Sequence, residues 1–212
     1  MKRLSLSQES KIKAAKLLSL AVIIPSVAVI IGWIFDVPFL KSISPVWISM
    51  KLDTAIAFML SGVTLYLIAR DQEGERDLAQ VGLCITSLMI VLLMGILFFS
   101  TLLGIHTGAE DLFIKETKVA PMTVVPGRPS FPTTLNFLLL AIASIFVMLN
   151  IKNLRLGLKI IGMIIGLIGA VAIMGYIIKA PPLYYYIQGV NSAMSCHTAI
   201  LFIFLGMGLL CL

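Results

Sequence analysis

His106 and His197 are the only two histidines of the chain and the side chains best suited to hold a transition metal or haem. His197 stands beside Cys196 in MSCHTAILFIFLG, and His106 stands in a polar stretch, LGIHTGAEDLF. Neither belongs to an HxxxH or CxxC spacing, and no carboxylate is placed to orient them. No metal or haem is therefore expected at His106 and His197. The favoured reading is interfacial residues near one membrane face, with a proton- or ligand-responsive role as the alternative. The three cysteines, Cys84, Cys196 and Cys211, lie in apolar stretches, and their odd number gives no disulfide framework.

Three further positions could bind something. Asp53 opens an apolar stretch, where an ionisable group can mark a ligand or ion route; the plainer reading is an N-cap. Arg128, in PGRPSFP, could clamp an anion or pair with Asp53, Glu110 or Asp111, but anchoring at headgroup level is favoured. Glu110, Asp111 and Glu116 are expected on a solvated loop. Tyr184, in Leu183-Tyr184-Tyr185-Tyr186, fits an interfacial aromatic belt with Trp33 and Trp47, a ligand platform being the alternative. No phosphate loop, nucleophile elbow, zinc-protease helix or carboxylate pair is present, so no enzyme is expected within these residues.

The elements that must position these residues follow from composition. Hydrophobic residues make up 59% and charged residues 12%, against roughly 45–50% and about 25% in soluble proteins. The excess falls in six blocks, 14–35, 52–69, 78–103, 133–149, 156–178 and 193–212. A span takes ~20 apolar residues, with a range of about 17–25, and backbone in lipid must satisfy itself as helix. The expectation is an all-α polytopic membrane protein of six transmembrane helices, preceded by an inner arm at 1–13. The arm's SLSQESKIKAAK is expected to lie along the inner surface with its lysines toward anionic lipid.

With both ends inside, ten of the sixteen Lys and Arg flank the inner face and six the outer, which supports that orientation. The net charge of +6 serves topology, so no nucleic acid is implied. The expected location is the cell inner membrane.

Three segments align without gaps: MKLDTAIAFMLSG from Met50, PSFPTTLNFLLLA from Pro129 and MSCHTAILFIFLG from Met194. They share a threonine (Thr54, Thr133, Thr198), a phenylalanine four on (Phe58, Phe137, Phe202) and a small residue four further (Gly62, Ala141, Gly206). Steps of four keep each set on one helical stripe. The small residue lets helices approach closely, and the threonine can cap a helix start or bond back to a carbonyl. Each copy opens an even-numbered span, which gives three parallel hairpins, about 14–69, 78–149 and 156–212, with all three threonines at the outer face.

In this order and spacing the chain resembles the multi-span N-terminal sensor region of microbial membrane histidine kinases and diguanylate cyclases. The resemblance runs from about Met50 to Leu212. It rests on the repeated segments, Gly127-Arg128, GAEDLF from Gly108, Gly175-Tyr176 and Leu183-Tyr184. The middle copy departs from the pattern, with Pro129 and Thr134 where Met and Ala are usual. The resemblance implies a sensor module, commonly a homodimer, whose sixth helix feeds a cytoplasmic output domain beyond Leu212. An accessory or structural subunit of a larger membrane complex is the rival expectation.

Overall fold

The computed structural model describes residues 6–42, 47–114, 125–185 and 192–212. Lys2, Arg3, Lys115, Glu116, Lys118 and Tyr186 lie outside the described residues. The helices are α1 (Leu6–Ile34), α2 (Pro38–Lys41), α3 (Leu52–Glu73), α4 (Arg76–Leu103), α5 (Phe131–Met148), α6 (Leu154–Ile177) and α7 (Cys196–Cys211). Short 3-10 turns stand at Ala109–Asp111 and Pro181–Leu183, and no strand occurs among the described residues. Five helices, α1, α3, α4, α5 and α6, are long and apolar enough to cross a membrane.

Two expectations about these elements are corrected. The arm at 1–13 is not a separate surface helix: from Leu6 it runs unbroken into α1, because nothing between Ser7 and Ala14 stops a helix. The sixth apolar block is helical only from Cys196, since Ser192 to Met194 are non-helical and Ser195, with extended backbone, caps the helix. With 16 residues, α7 rises ~24 Å, short of the ~30 Å hydrocarbon thickness.

α1 packs most extensively on α3, α4 on α5, and α6 on α7. α3 is the most enclosed of the five long helices, while α1, α4 and α6 turn apolar faces outward, among them Ile24, Leu88, Leu92, Leu167 and Met174. Those faces suit lipid, and the close approaches inside suit small residues. A Cβ on Gly206 would lie 2.5 Å from the Gly162 carbonyl oxygen, and one on Gly62 would lie 3.0 Å from that of Ser19. The repeated small position thus lies against the preceding helix of the same pair in two copies. In the third, Ala141 is buried in α5 and its carbonyl accepts from Ser144 Oγ.

The repeated phenylalanines meet at the centre. Ring centroids of Phe58 and Phe137 are 4.7 Å apart, of Phe58 and Phe202 4.6 Å, and of Phe137 and Phe202 5.0 Å. All three are fully buried. A left-handed residue follows each preceding helix, Asp36 after α1, Gly104 after α4 and Lys179 after α6, so the three chain reversals are made alike.

Candidate functional site: the junction of the repeated helix starts

The helix starts of α3, α5 and α7 converge on one small cavity, about 210 Å³ including its open mouth. Its lining comes from the three copies in turn: Met50, Lys51 and Thr54; Pro129, Ser130 and Thr133; Met194, Ser195 and Thr198. Each helix start presents unsatisfied N–H groups and about half a positive charge. The copies treat those groups in related but unequal ways. Ser130 Oγ lies 2.7 Å from Thr133 Oγ1, and Ser195 Oγ lies 2.8 Å from Thr198 Oγ1 while accepting from the Thr198 N–H. The cap in the last copy is therefore the serine, with the threonine in the first turn, which corrects the expectation that the threonine itself caps. In the first copy Lys51 stands where the others have serine, so Thr54 has no such partner three residues back.

In the first and last copies the approach to the helix is held from behind. Trp33 Nε1 in α1 donates to the Met50 carbonyl at 2.9 Å, and the Tyr176 hydroxyl in α6 donates to the Met194 carbonyl at 2.7 Å. Met50 and Met194 are equivalent in the repeat, and each donor stands at the end of the preceding helix. Tyr184 stacks on Tyr176, with centroids 4.2 Å apart and planes 14° apart, and its carbonyl accepts from the Met194 N–H. Tyr184 is buried. It is neither a belt residue nor an open ligand platform; it fastens the α6–α7 connection. Gly175 completes this: a Cβ there would stand 2.7 Å from Leu183 Cβ and 2.9 Å from Tyr184 Cδ1. The spaced pairs Gly175-Tyr176 and Leu183-Tyr184 are two sides of one contact.

Beside the middle copy, Arg128 is 3% exposed and Glu110 4%. Arg128 Nε donates to Glu110 Oε1 at 3.1 Å, and its Nη2 reaches the same oxygen, Ser100 Oγ at 2.8 Å and the Ile105 carbonyl at 2.6 Å. Ser100 Oγ in α4 also has the Glu110 carboxylate and the Ile105 carbonyl, both at 2.7 Å, within reach of its one proton. Of the three acids open to Arg128, the fold selects Glu110. The headgroup-anchor reading of Arg128 is corrected, and so is the solvated-loop reading of Glu110: a guanidinium fork making four hydrogen bonds to three acceptors can be taken out of water. Burial pushes the Glu110 carboxyl up. Hydrogen bonds from Ser100, Arg128 and its own backbone N–H, with the guanidinium charge, outweigh this and hold it near about 2. Gly127, at φ 75°, has its Cα against the Glu110 carbonyl, where no side chain fits. Gly127-Arg128 and GAEDLF, distant in sequence, are therefore one interlocked corner.

Asp53 lies in the first turn of α3, buried, with Lys51 as the N-cap and no partner for its Oδ2. The N-cap reading of Asp53 is corrected on that geometry. His197 is half-buried in the first turn of α7, and His106 is exposed beyond α4. Among the described residues no three of His, Cys, Asp or Glu gather as a metal-holding group, and Cys84, Cys196 and Cys211 are free thiols.

Ser130 and Ser195 escaped the sequence reading, although Ser-x-x-Thr in two copies resembles a capping box and could have exposed them. Ser100, Trp33 and Tyr176 act through long-range contacts that no local pattern announces. What the fold and junction define is a class, an all-helical protein with five helices of membrane-crossing proportions. No protein-family model, curated protein or solved structure matches the chain.

Proposed function

We propose that the chain crosses a membrane six times as three parallel hairpins and acts as the sensor module of a signalling receptor. The observation that carries this reading is the convergence of the three repeated helix starts on one cavity, with the phenylalanine triangle beneath it. A change in the packing at that junction moves three hairpins together, and α7 carries the change to the other end. The sixth crossing is completed by Ala193, Met194 and Ser195. These are non-helical and buried, which makes irregular backbone tolerable at membrane depth. In this reading the junction faces outward, both termini are cytoplasmic, the module works as a homodimer, and the output is a histidine kinase or cyclase domain.

A sensor must populate two packings that a stimulus binds unequally. Spin labels at exposed Asp77 and Met207, near the far ends of α4 and α7, test this in bilayers. A distance distribution that shifts when Thr54, Thr133 and Thr198 are changed together to valine supports the sensor. One narrow distribution, unchanged by the triple substitution, counts against it. The rival reading, a subunit of a larger membrane complex, predicts a stoichiometric heteromeric assembly on native purification.

A further inference from the structure

The end of the bundle opposite the junction carries a second cavity, about 470 Å³ including its open mouth. Ser7, Gln8 and Lys11 of α1 form one wall, Arg155 and Lys159 of α6 another, and the last residues of α7 the third. No acidic residue lines it. Glu9 of α1 pairs with Lys13 at 2.7 Å and Glu73 of α3 with Lys16 at 2.5 Å. Lys11, Arg155 and Lys159 form no ion pair with a described residue. α6 begins here, adding about half a positive charge, whereas the end of α7 returns about half a negative one. Three like charges around one cavity repel, and that repulsion falls only when an anion sits among them.

Apolar residues stand exposed beside the cations: Leu156 next to Arg155, Ile160 next to Lys159, and Leu210 on α7. A free phosphate has no use for that surface, but a lipid does. We propose that this cavity binds the phosphate of an anionic phospholipid through Lys11, Arg155 and Lys159, with its acyl chains along Leu156, Ile160 and Leu210. Basic pockets between helices at a membrane face are suited to such headgroups. The site would tie the starts of α1 and α6 to the end of α7, and so set the resting packing of the helix assigned to output. The inference rests on the reading that these helices cross a bilayer. That reading is checked separately by whether the protein stays in solution without detergent.

The test titrates the full chain in detergent with short-chain phosphatidylglycerol, short-chain phosphatidylcholine and inorganic phosphate, read by native mass spectrometry. Phosphatidylglycerol is expected to bind about tenfold to a hundredfold more tightly than phosphatidylcholine. The preference should vanish in the triple variant Lys11→Gln, Arg155→Gln, Lys159→Gln. It should survive in Lys13→Gln and in the charge-keeping triple Lys11→Arg, Arg155→Lys, Lys159→Arg. Equal binding of the two lipids overturns the proposal, as does a preference that persists in the glutamine triple. Inorganic phosphate binding as tightly as phosphatidylglycerol overturns the lipid as its source. Wild-type protein alone decides the first and last of these outcomes, whatever the variants do to folding.

Discussion

Replacing Arg128 with methionine removes the cation and keeps much of the side-chain volume. What remains is Glu110, 4% exposed, with Ser100, Thr107 at 3.4 Å and its own backbone to stabilise a charge. Breaking a buried pair by removing one partner costs roughly 3–5 kcal/mol, chiefly the uncompensated charge. The net lowering of the Glu110 carboxyl, from the ordinary 4.5 to about 2 with Ser100 and its own backbone sharing the work, corresponds to on the order of 3 kcal/mol at about 1.4 kcal/mol per pH unit, an upper bound on what the cation supplies. For a chain of this length the loss lowers Tm by roughly 6–20 °C. The assay is thermal unfolding in detergent at pH 7, followed by intrinsic fluorescence. Two refinements make it diagnostic. Adding Glu110→Leu should restore most of the loss, because Ser100 can still donate to the Ile105 carbonyl and no charge is left buried. Lowering the pH to 4 should also shrink the Arg128→Met penalty, since a buried carboxyl without its cation takes up a proton readily. An Arg128→Met variant within about 1 kcal/mol of wild type, or a double variant as damaged as the sum of the singles, would refute the buried-pair reasoning.

In the unaltered protein the sign runs the other way: Glu110 is depressed when folded, so its stabilisation is complete above about 4.5 and is lost as pH falls toward about 2. A melting series from pH 7 to pH 2.5 should show that loss, and Glu110→Gln should flatten it. Phe58→Ala, Phe137→Ala and Phe202→Ala should each cost roughly 1–3 kcal/mol. Each ring gives up two aromatic contacts, while lipid replaces most of the transfer term. Denaturant titration should find the three alike and pairs of them less than additive, and a triple variant that loses three full single costs would speak against a shared cluster. Gly206→Ala should separate α6 from α7 and destabilise strongly, since its Cβ would fall 2.5 Å from the Gly162 carbonyl oxygen. Gly166→Ala on the same interface meets nothing nearer than 3.8 Å and should be neutral within about 0.5 kcal/mol in the same melts.

The helices were legible because lipid-facing and core-facing residues are both apolar, and the blocks that result are long. The same redundancy hid where the last one begins. From Ala193 to Leu212 the block is apolar apart from Ser195, His197 and Thr198, and of these Ser195, a cap, marks the helix start at Cys196. The threonine–phenylalanine–small stripe told which residues share a face, and it is these phenylalanines that meet. Periodicity within a helix cannot say which stripes from three helices face one another, so the triangle itself was not visible. Arg128 shows the limit most clearly. Its chemistry narrowed the partners to three acids, but choosing Glu110 needed the left-handed turn at Gly127 and the reach of Ser100 from α4. Tyr184 misled for a related reason: a tyrosine near a span end suits an interface, and burial against Tyr176 depends on a glycine eight residues before Leu183.

The account stands or falls on three hairpins that present their repeated helix starts on one side of a membrane. Single cysteines at Thr107 and Lys179, beyond α4 and α6, and at Asp77 in the first turn of α4 and Asn153 at the N-cap of α6, at the other end, can be placed in a background lacking Cys84, Cys196 and Cys211. Intact cells are then treated with a membrane-impermeant maleimide. The account predicts labelling at Thr107 and Lys179 from outside, and at Asp77 and Asn153 only after permeabilisation. Labelling of Asn153 in intact cells, or equal labelling at all four positions, would contradict it.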